Sequence, residues 1–198
     1  FIDPWIGTWE DYRTMCQKAH KLGMLVCQDL VFNHMGAYSN IFKEALHNPE
    51  SHYHNWFEWG KNGEPIFWYG IMEMPQCNKI NPEYQEYVLN VVETYINAGA
   101  DGIRLDLGEH LPRELMYKIM DKAKSLNPDV LIVSEMWDLA TENGNRQIFD
   151  GEAHSVMNYP LGDAICRWLR YGNWMHFDYT VKELAKYPKG VQDVLWNF

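Results

Sequence analysis

Short apolar runs alternate with helix-like stretches along this chain, and that alternation restricts the fold more than any other feature. Thr8 reads as a helix N-cap with Asp11 three residues on, and the helix it opens runs to about Leu22 and stops at Gly23. Residues 24–32 form a mostly apolar run of the buried-strand type, interrupted by Gln28 and Asp29. Asn81 and Pro82 open a second helix that reaches about Asn97 and ends at Gly99. Residues 101–106 then read as a strand, 112–125 as a helix and 130–134 as a strand. Further on, 155–158 reads as a short strand, 160–170 as a helix, and 181–186 and 191–198 as helical pieces. Strict alternation predicts an α/β fold with parallel strands and crossover helices. No glycine-rich phosphate loop follows a strand, which removes the main reason to expect a nucleotide-binding sheet. About four strands are legible. A complete eight-stranded barrel takes roughly 250 residues, so a barrel reading gives this 198-residue chain about half of one.

Residues 35–80 show no sustained period and are rich in Asn, His, Gly, Pro and aromatic side chains, the pattern of a long functional insertion. The formal net charge of −10 argues against nucleic-acid and anionic-membrane partners, which would repel it, and leaves neutral substrates such as sugars open. No apolar run approaches the length of a membrane span, and the opening Phe1-Ile2-Asp3-Pro4-Trp5 lacks the basic start and apolar core of a signal peptide. Cys16, Cys27, Cys77 and Cys166 are widely spaced and read as reduced thiols, which favours a cytoplasmic setting. The clusters Trp56-Phe57-Glu58-Trp59 and Phe67-Trp68-Tyr69 suit core packing and sugar stacking equally.

Two strands end in a carboxylate: Gly102-Ile103-Arg104-Leu105-Asp106 and Val130-Leu131-Ile132-Val133-Ser134-Glu135. Ligands of parallel α/β folds bind at that edge, and paired carboxylates there are the minimal equipment for glycosidic bond chemistry. Arg104 shares a strand face with Asp106 and would hold it ionised, as suits a nucleophile. Glu135 has no basic neighbour in sequence and is followed by Trp137. That predicts less polar surroundings, suited to a proton donor. Adjacent strands lie ~4.8 Å apart, so acids on neighbouring tips approach the ~5–5.5 Å separation of retaining glycosidases. Asp29, Asn33 and His34 end the first strand, where they could hold hydroxyls or a hard cation. His110 could turn back toward Asp106. His52-Tyr53-His54 has metal-compatible spacing without supporting ligands.

Together these stretches resemble glycoside hydrolase family 13, the α-amylase family. Asp29-Leu-Val-Phe-Asn33-His34 resembles its first motif, Gly102-Ile-Arg104-Leu-Asp106 its second and Glu135-Met-Trp137 its third, in the family's order. Met74-Pro75-Gln76-Cys77-Asn78 resembles the M-P-K-L-N stretch of neopullulanases, cyclomaltodextrinases and maltogenic amylases. Gln76 and Cys77 depart from it, and His110 stands where that group usually has Glu. The resemblance implies strands three to six of a TIM (β/α)8 barrel. Residues 1–34 and 81–198 would be partial barrel, and 35–80 a domain B-like insertion.

It implies Asp106 as nucleophile, Glu135 as general acid/base, and His34, Arg104, His110 and Trp137 as substrate-binding residues. It also leaves a structural calcium ion open at Asn33, with no other cofactor. The family's fourth motif, a His-Asp pair after strand seven, is absent. Leu195-Trp196-Asn197-Phe198 resembles the start of that strand, so the third catalytic Asp would lie beyond it and these 198 residues alone would be inactive. The implied function is retaining hydrolysis of α-glucosidic bonds in maltooligosaccharides, cyclodextrins, pullulan or starch. A family 13 glucanotransferase or branching enzyme, and a catalytically inactive carbohydrate-binding domain, are the alternatives.

Overall fold

A computed structural model describes residues 2–194. The first helix, α1 (Trp9–Lys21), opens on the capping box foreseen in the sequence: the Asp11 amide donates to Thr8 Oγ1 at 3.2 Å, and the Thr8 amide donates to Asp11 Oδ2 at 2.8 Å. The chain continues through β1 (Cys27–Val31), α2 (Asn40–His47), α3 (Pro82–Asn97), β2 (Gly102–Asp106), α4 (Arg113–Leu126), β3 (Leu131–Ser134), β4 (Ser155–Met157), α5 (Tyr159–Tyr171), α6 (Trp174–Leu184) and β5 (Gln192–Val194).

The five strands form one parallel sheet in the order β1-β2-β3-β4-β5. Each new strand is added on the same side of the last. Right-handed crossovers then put the connecting helices on one face. A doubly wound sheet would reverse direction instead. This winding is that expected for consecutive strands of a (β/α)8 barrel.

Two expectations need correction. The sequence predicts a helical piece over 191–198, but Gln192–Val194 is a strand, because β4 offers a free edge whose ladder Gln192, Asp193 and Val194 complete; residues 195–198 lie outside the described residues. The insertion, read as aperiodic, contains α2, which has Ser39 as N-cap and turns Phe42 and Ala45 inward.

The core lies between sheet and helices. Val88, Val92 and Ile96 recur every fourth residue on α3, and Leu115, Ile119 and Ala123 do so on α4. They meet Leu30, Ile103, Leu105 and Ile132 from the strands. Each such fully buried large side chain contributes about 1.5–3 kcal/mol.

The segment after β1 folds back on itself. Met35 and Ala37 donate to the Pro75 and Glu73 carbonyls, and Cys77 donates to the Asn33 carbonyl at 3.0 Å. Residues 73–78 therefore run antiparallel to 33–37 and close the insertion at the strand end. Trp56 and Phe57 are buried in its core, whereas Trp68 and Tyr69 line a cleft. The two aromatic clusters thus divide between packing and surface. All four cysteines are free. Among the described residues, no helix is long and apolar enough to cross a membrane.

Candidate active site

Register places the two acids side by side. Leu105 pairs with Ser134 across β2 and β3, and Asp106 and Glu135 are the next residues on each strand. The Glu135 amide donates to the Leu105 carbonyl at 3.0 Å, which fixes the second tip to the first. On the other side, Asp29 of β1 is opposite Arg104 and Val31 is opposite Asp106.

One guanidinium joins three carboxylates. Arg104 Nη1 donates to Asp29 Oδ1 at 2.7 Å and to Asp106 Oδ1 at 2.8 Å, and Nη2 lies 2.9 Å from Glu135 Oε2. Its Nε approaches Met157 Sδ at 3.3 Å. Burial works against the Arg104 charge, but the hydrogen bonds and charges of Asp29, Asp106 and Glu135 outweigh it and hold the guanidinium well above its ordinary value.

The expected contrast between an acid beside a cation and one in apolar surroundings is therefore wrong for Glu135. Its carboxylate is buried, with the Arg104 cation at Oε2, the Leu107 amide donating to the same oxygen at 2.8 Å, and the Tyr159 hydroxyl 3.4 Å from Oε1. The local sequence was misleading because the cation reaches it from the neighbouring strand.

His34 lies at the end of β1 and lines the same cleft as Asp106 and Glu135. Burial pushes its imidazole below the ordinary value, with Asp106 pulling up and Lys79 pushing down. Its Nδ1 is buried without a hydrogen-bond partner among the described residues. Since the unfolded chain takes up this proton first, folding stability from His34 is present near pH 7 and falls as pH drops through about 6.5 and below. The expected result is a smaller loss of stability between pH 7 and pH 5 in His34→Asn than in the unsubstituted protein, by urea denaturation. Equal losses would exclude the effect.

His110 also reaches the cleft, 3.8 Å from Glu109 and with its ring edge on Trp68 at a centroid distance of 4.6 Å. Trp137 is 58% exposed and stacks on Tyr159, with centroids 4.4 Å apart and planes 6° from parallel. Such a flat, exposed platform suits a sugar ring. The fold adds to the site Tyr159, whose partner is distant in the chain, and Glu109, which accepts from the Trp137 amide at 3.3 Å; the sequence alone assigns neither a substrate-binding role.

Asn33 does not fit a calcium ligand. It is fully buried, and its Oδ1 accepts from Lys79 Nζ at 3.1 Å. Lys79 also donates to the Cys77 carbonyl and faces Glu58 at 3.6 Å, so an ammonium already neighbours the Asn33 oxygen that would have to serve as ligand. His52 and His54 turn to different partners, Glu83 and the Ala45 carbonyl, and do not form a metal pair. Among the described residues, no group of three or more His, Cys, Asp or Glu could hold a metal ion.

The cleft has a volume of about 940 Å³. Its floor is Asp106 and Glu135, and its walls come from the insertion (Trp68, Tyr69, Met74) and from the loop after β3 (Trp137, Leu139). A pair of carboxylates sharing a cation, at the carboxyl ends of adjacent strands and under aromatic walls, can perform a double displacement at a sugar carbon.

Known proteins share this frame. Residues 1–73 match the family model for the α-amylase catalytic domain. The chain is 30% identical to neopullulanase 2 of Thermoactinomyces vulgaris and 32% identical to a cyclomaltodextrinase of Geobacillus thermopakistaniensis, in each case over 99% of this chain and 35% of the relative. It superposes on a solved cyclomaltodextrinase with a TM-score of 0.85 at 28% identity, over 99% of this chain and 35% of that one. The chain thus spans about a third of the length of the curated relatives it matches. Three strand-end motifs in order, on a singly wound parallel sheet that superposes on such an enzyme, show that this chain belongs to glycoside hydrolase family 13, the α-amylase family.

Proposed function

We propose that the protein is a retaining glycoside hydrolase acting on α-glucosidic bonds of maltooligosaccharides, cyclodextrins, pullulan or starch. The observation that carries this reading is the pair Asp106 and Glu135 on adjacent strand tips, bonded to the two terminal nitrogens of one guanidinium. Arg104 holds Asp106 Oδ1, leaving Oδ2 to attack the anomeric carbon. As that bond forms, the bond to the glycosidic oxygen breaks, and Glu135 delivers its proton to that oxygen. Water then enters: Glu135 takes its proton, the hydroxide attacks the anomeric carbon, and Asp106 is released. Two inversions restore the α configuration.

His34 and His110 bind sugar hydroxyls, and Trp137 on Tyr159 stacks a ring on the rim. Residues 35–80 serve as the domain B-like wall, between barrel segments 1–34 and 81–198. The test is proton NMR of fresh products from cyclodextrin or pullulan with the full-length protein. An initial α anomer is expected; an initial β anomer or no cleavage would reject the reading. A glucanotransferase would use the same covalent intermediate, and products that grow when a sugar acceptor is added would reveal it.

No metal takes part in this scheme, and Lys79 supplies the positive charge that ties Asn33 to Glu58. Treatment with EDTA is therefore expected to leave turnover and Tm unchanged. A fall in either that calcium restores would contradict the role given to Lys79.

A further inference from the structure

Among the described residues, only Tyr69 and Leu107 are non-glycine residues with positive φ. Leu107, at φ 48° and ψ 40°, directly follows Asp106. A branched side chain pays sterically in this left-handed region, and such a conformation persists only where the surroundings over-determine it. Here the surroundings are explicit. With Leu107 turned this way, the chain leaves β2 for a short 3-10 turn, Gly108–His110, packed against the end of β3. Gly108 presses so closely on that strand that a Cβ would fall 2.2 Å from Ser134 Oγ. The Glu109 amide donates to the Glu135 carbonyl at 3.3 Å.

From the loop after β3, buried Gln147 accepts from Ser134 Oγ at 2.6 Å and donates to the Gly108 carbonyl at 2.8 Å. The peptide between Asp106 and Leu107 is thereby held with its N–H on Glu135 Oε2, at 2.8 Å. That oxygen also meets Arg104 Nη2 at 2.9 Å. An oxygen accepting two donors, one of them cationic, can take a proton only by losing one of them. Oε1, approached by the Tyr159 hydroxyl at 3.4 Å, is the oxygen left for proton transfer.

We propose that Gln147 and Leu107 are positioning residues for Glu135: the Gln147 amide clamps the Gly108 carbonyl, the clamp holds Leu107 left-handed, and the Leu107 N–H commits Oε2, so that Oε1 carries the proton given to the leaving group. The inference rests on the reading of Glu135 as general acid. Neither residue is conspicuous in the sequence, because each acts through a backbone group of another segment.

The test compares a maltooligosaccharide, whose departing sugar needs a proton, with an α-maltosyl fluoride, whose fluoride leaves without one. The parameter is kcat/KM, which reports steps up to the first cleavage. Gln147→Met and Leu107→Val in the full-length protein are each expected to lower kcat/KM on the oligosaccharide by about 10²-fold, the scale of a displaced general acid. On the fluoride, the loss is expected to stay within about threefold, because no proton is transferred there. Leu107→Gly, which adopts the left-handed region freely, is expected to lose less on the oligosaccharide than Leu107→Val. Equal losses on both substrates would show a merely structural role and overturn the proposal, as would equal losses for Leu107→Gly and Leu107→Val. If Gln147→Met does not fold, the two Leu107 variants decide alone. An unsubstituted protein inactive on both substrates would instead reject the glycosidase reading, and this proposal with it.

Discussion

Asp106→Asn in the full-length protein is expected to reduce cleavage of cyclodextrin or pullulan by ~10⁴- to 10⁶-fold, the scale on which catalysis collapses when a member of a covalent catalytic set is lost. The substitution changes little else. An Asn carbonyl can still accept from Arg104 Nη1, which now donates to Asp106 Oδ1 at 2.8 Å, so β2 and its pairing with β1 and β3 should survive. What disappears is the carboxylate oxygen that forms the glycosyl ester in the proposed mechanism. The readout is reducing-sugar release, with circular dichroism as a check on folding. A shorter replacement, Asp106→Gly, adds a second readout. Azide can enter the vacated space, attack the anomeric carbon once and leave a β-glycosyl azide, which a direct water mechanism would not produce. Turnover near the unsubstituted level in Asp106→Asn would remove Asp106 from the chemistry.

Arg104→Met is expected to affect activity and stability together, because its side chain is the shared cation of three acids. Without it Asp29, Asp106 and Glu135 face one another uncompensated, and the two carboxylates proposed to react lose a positioning contact. Displacement of a reacting group by about 1 Å costs on the order of 10²-fold in rate, and here two groups are released at once. The stability loss should fall below the ~3–5 kcal/mol of a fully buried broken pair, because Asp29 is 58% exposed and water screens it. Arg104→Lys should recover little of either, since a compact ammonium cannot span the positions that two guanidinium nitrogens occupy. Urea denaturation and kcat on cyclodextrin check both effects. An Arg104→Met protein with unchanged midpoint and rate would show that the three contacts are incidental.

Much of the frame is legible in the sequence. The capping box at Thr8 and Asp11, the helix opened by Asn81 and Pro82, and the apolar runs ending in Asp106 and Glu135 are local features, set by residues within a few positions of one another. The alternation of these elements implied parallel strands, and the order β1 to β5 agrees. The strand at Gln192–Val194 was misread because three residues carry no period of their own; their extended state comes from pairing with β4. α2 was missed inside the insertion because eight residues offer barely two turns of periodicity.

The chain by itself determined which residue types stand at the ends of which strands, and hence the family and the two acids. Tertiary structure alone decided how those acids are held. Arg104 belongs as much to Glu135 and Asp29 as to its sequence neighbour Asp106, Lys79 takes the oxygen of Asn33, and Gln147 grips the turn that carries Leu107. Each of these contacts joins segments brought together by strand register and loop closure. Periodicity reports which way a side chain faces, but not which distant group it meets there.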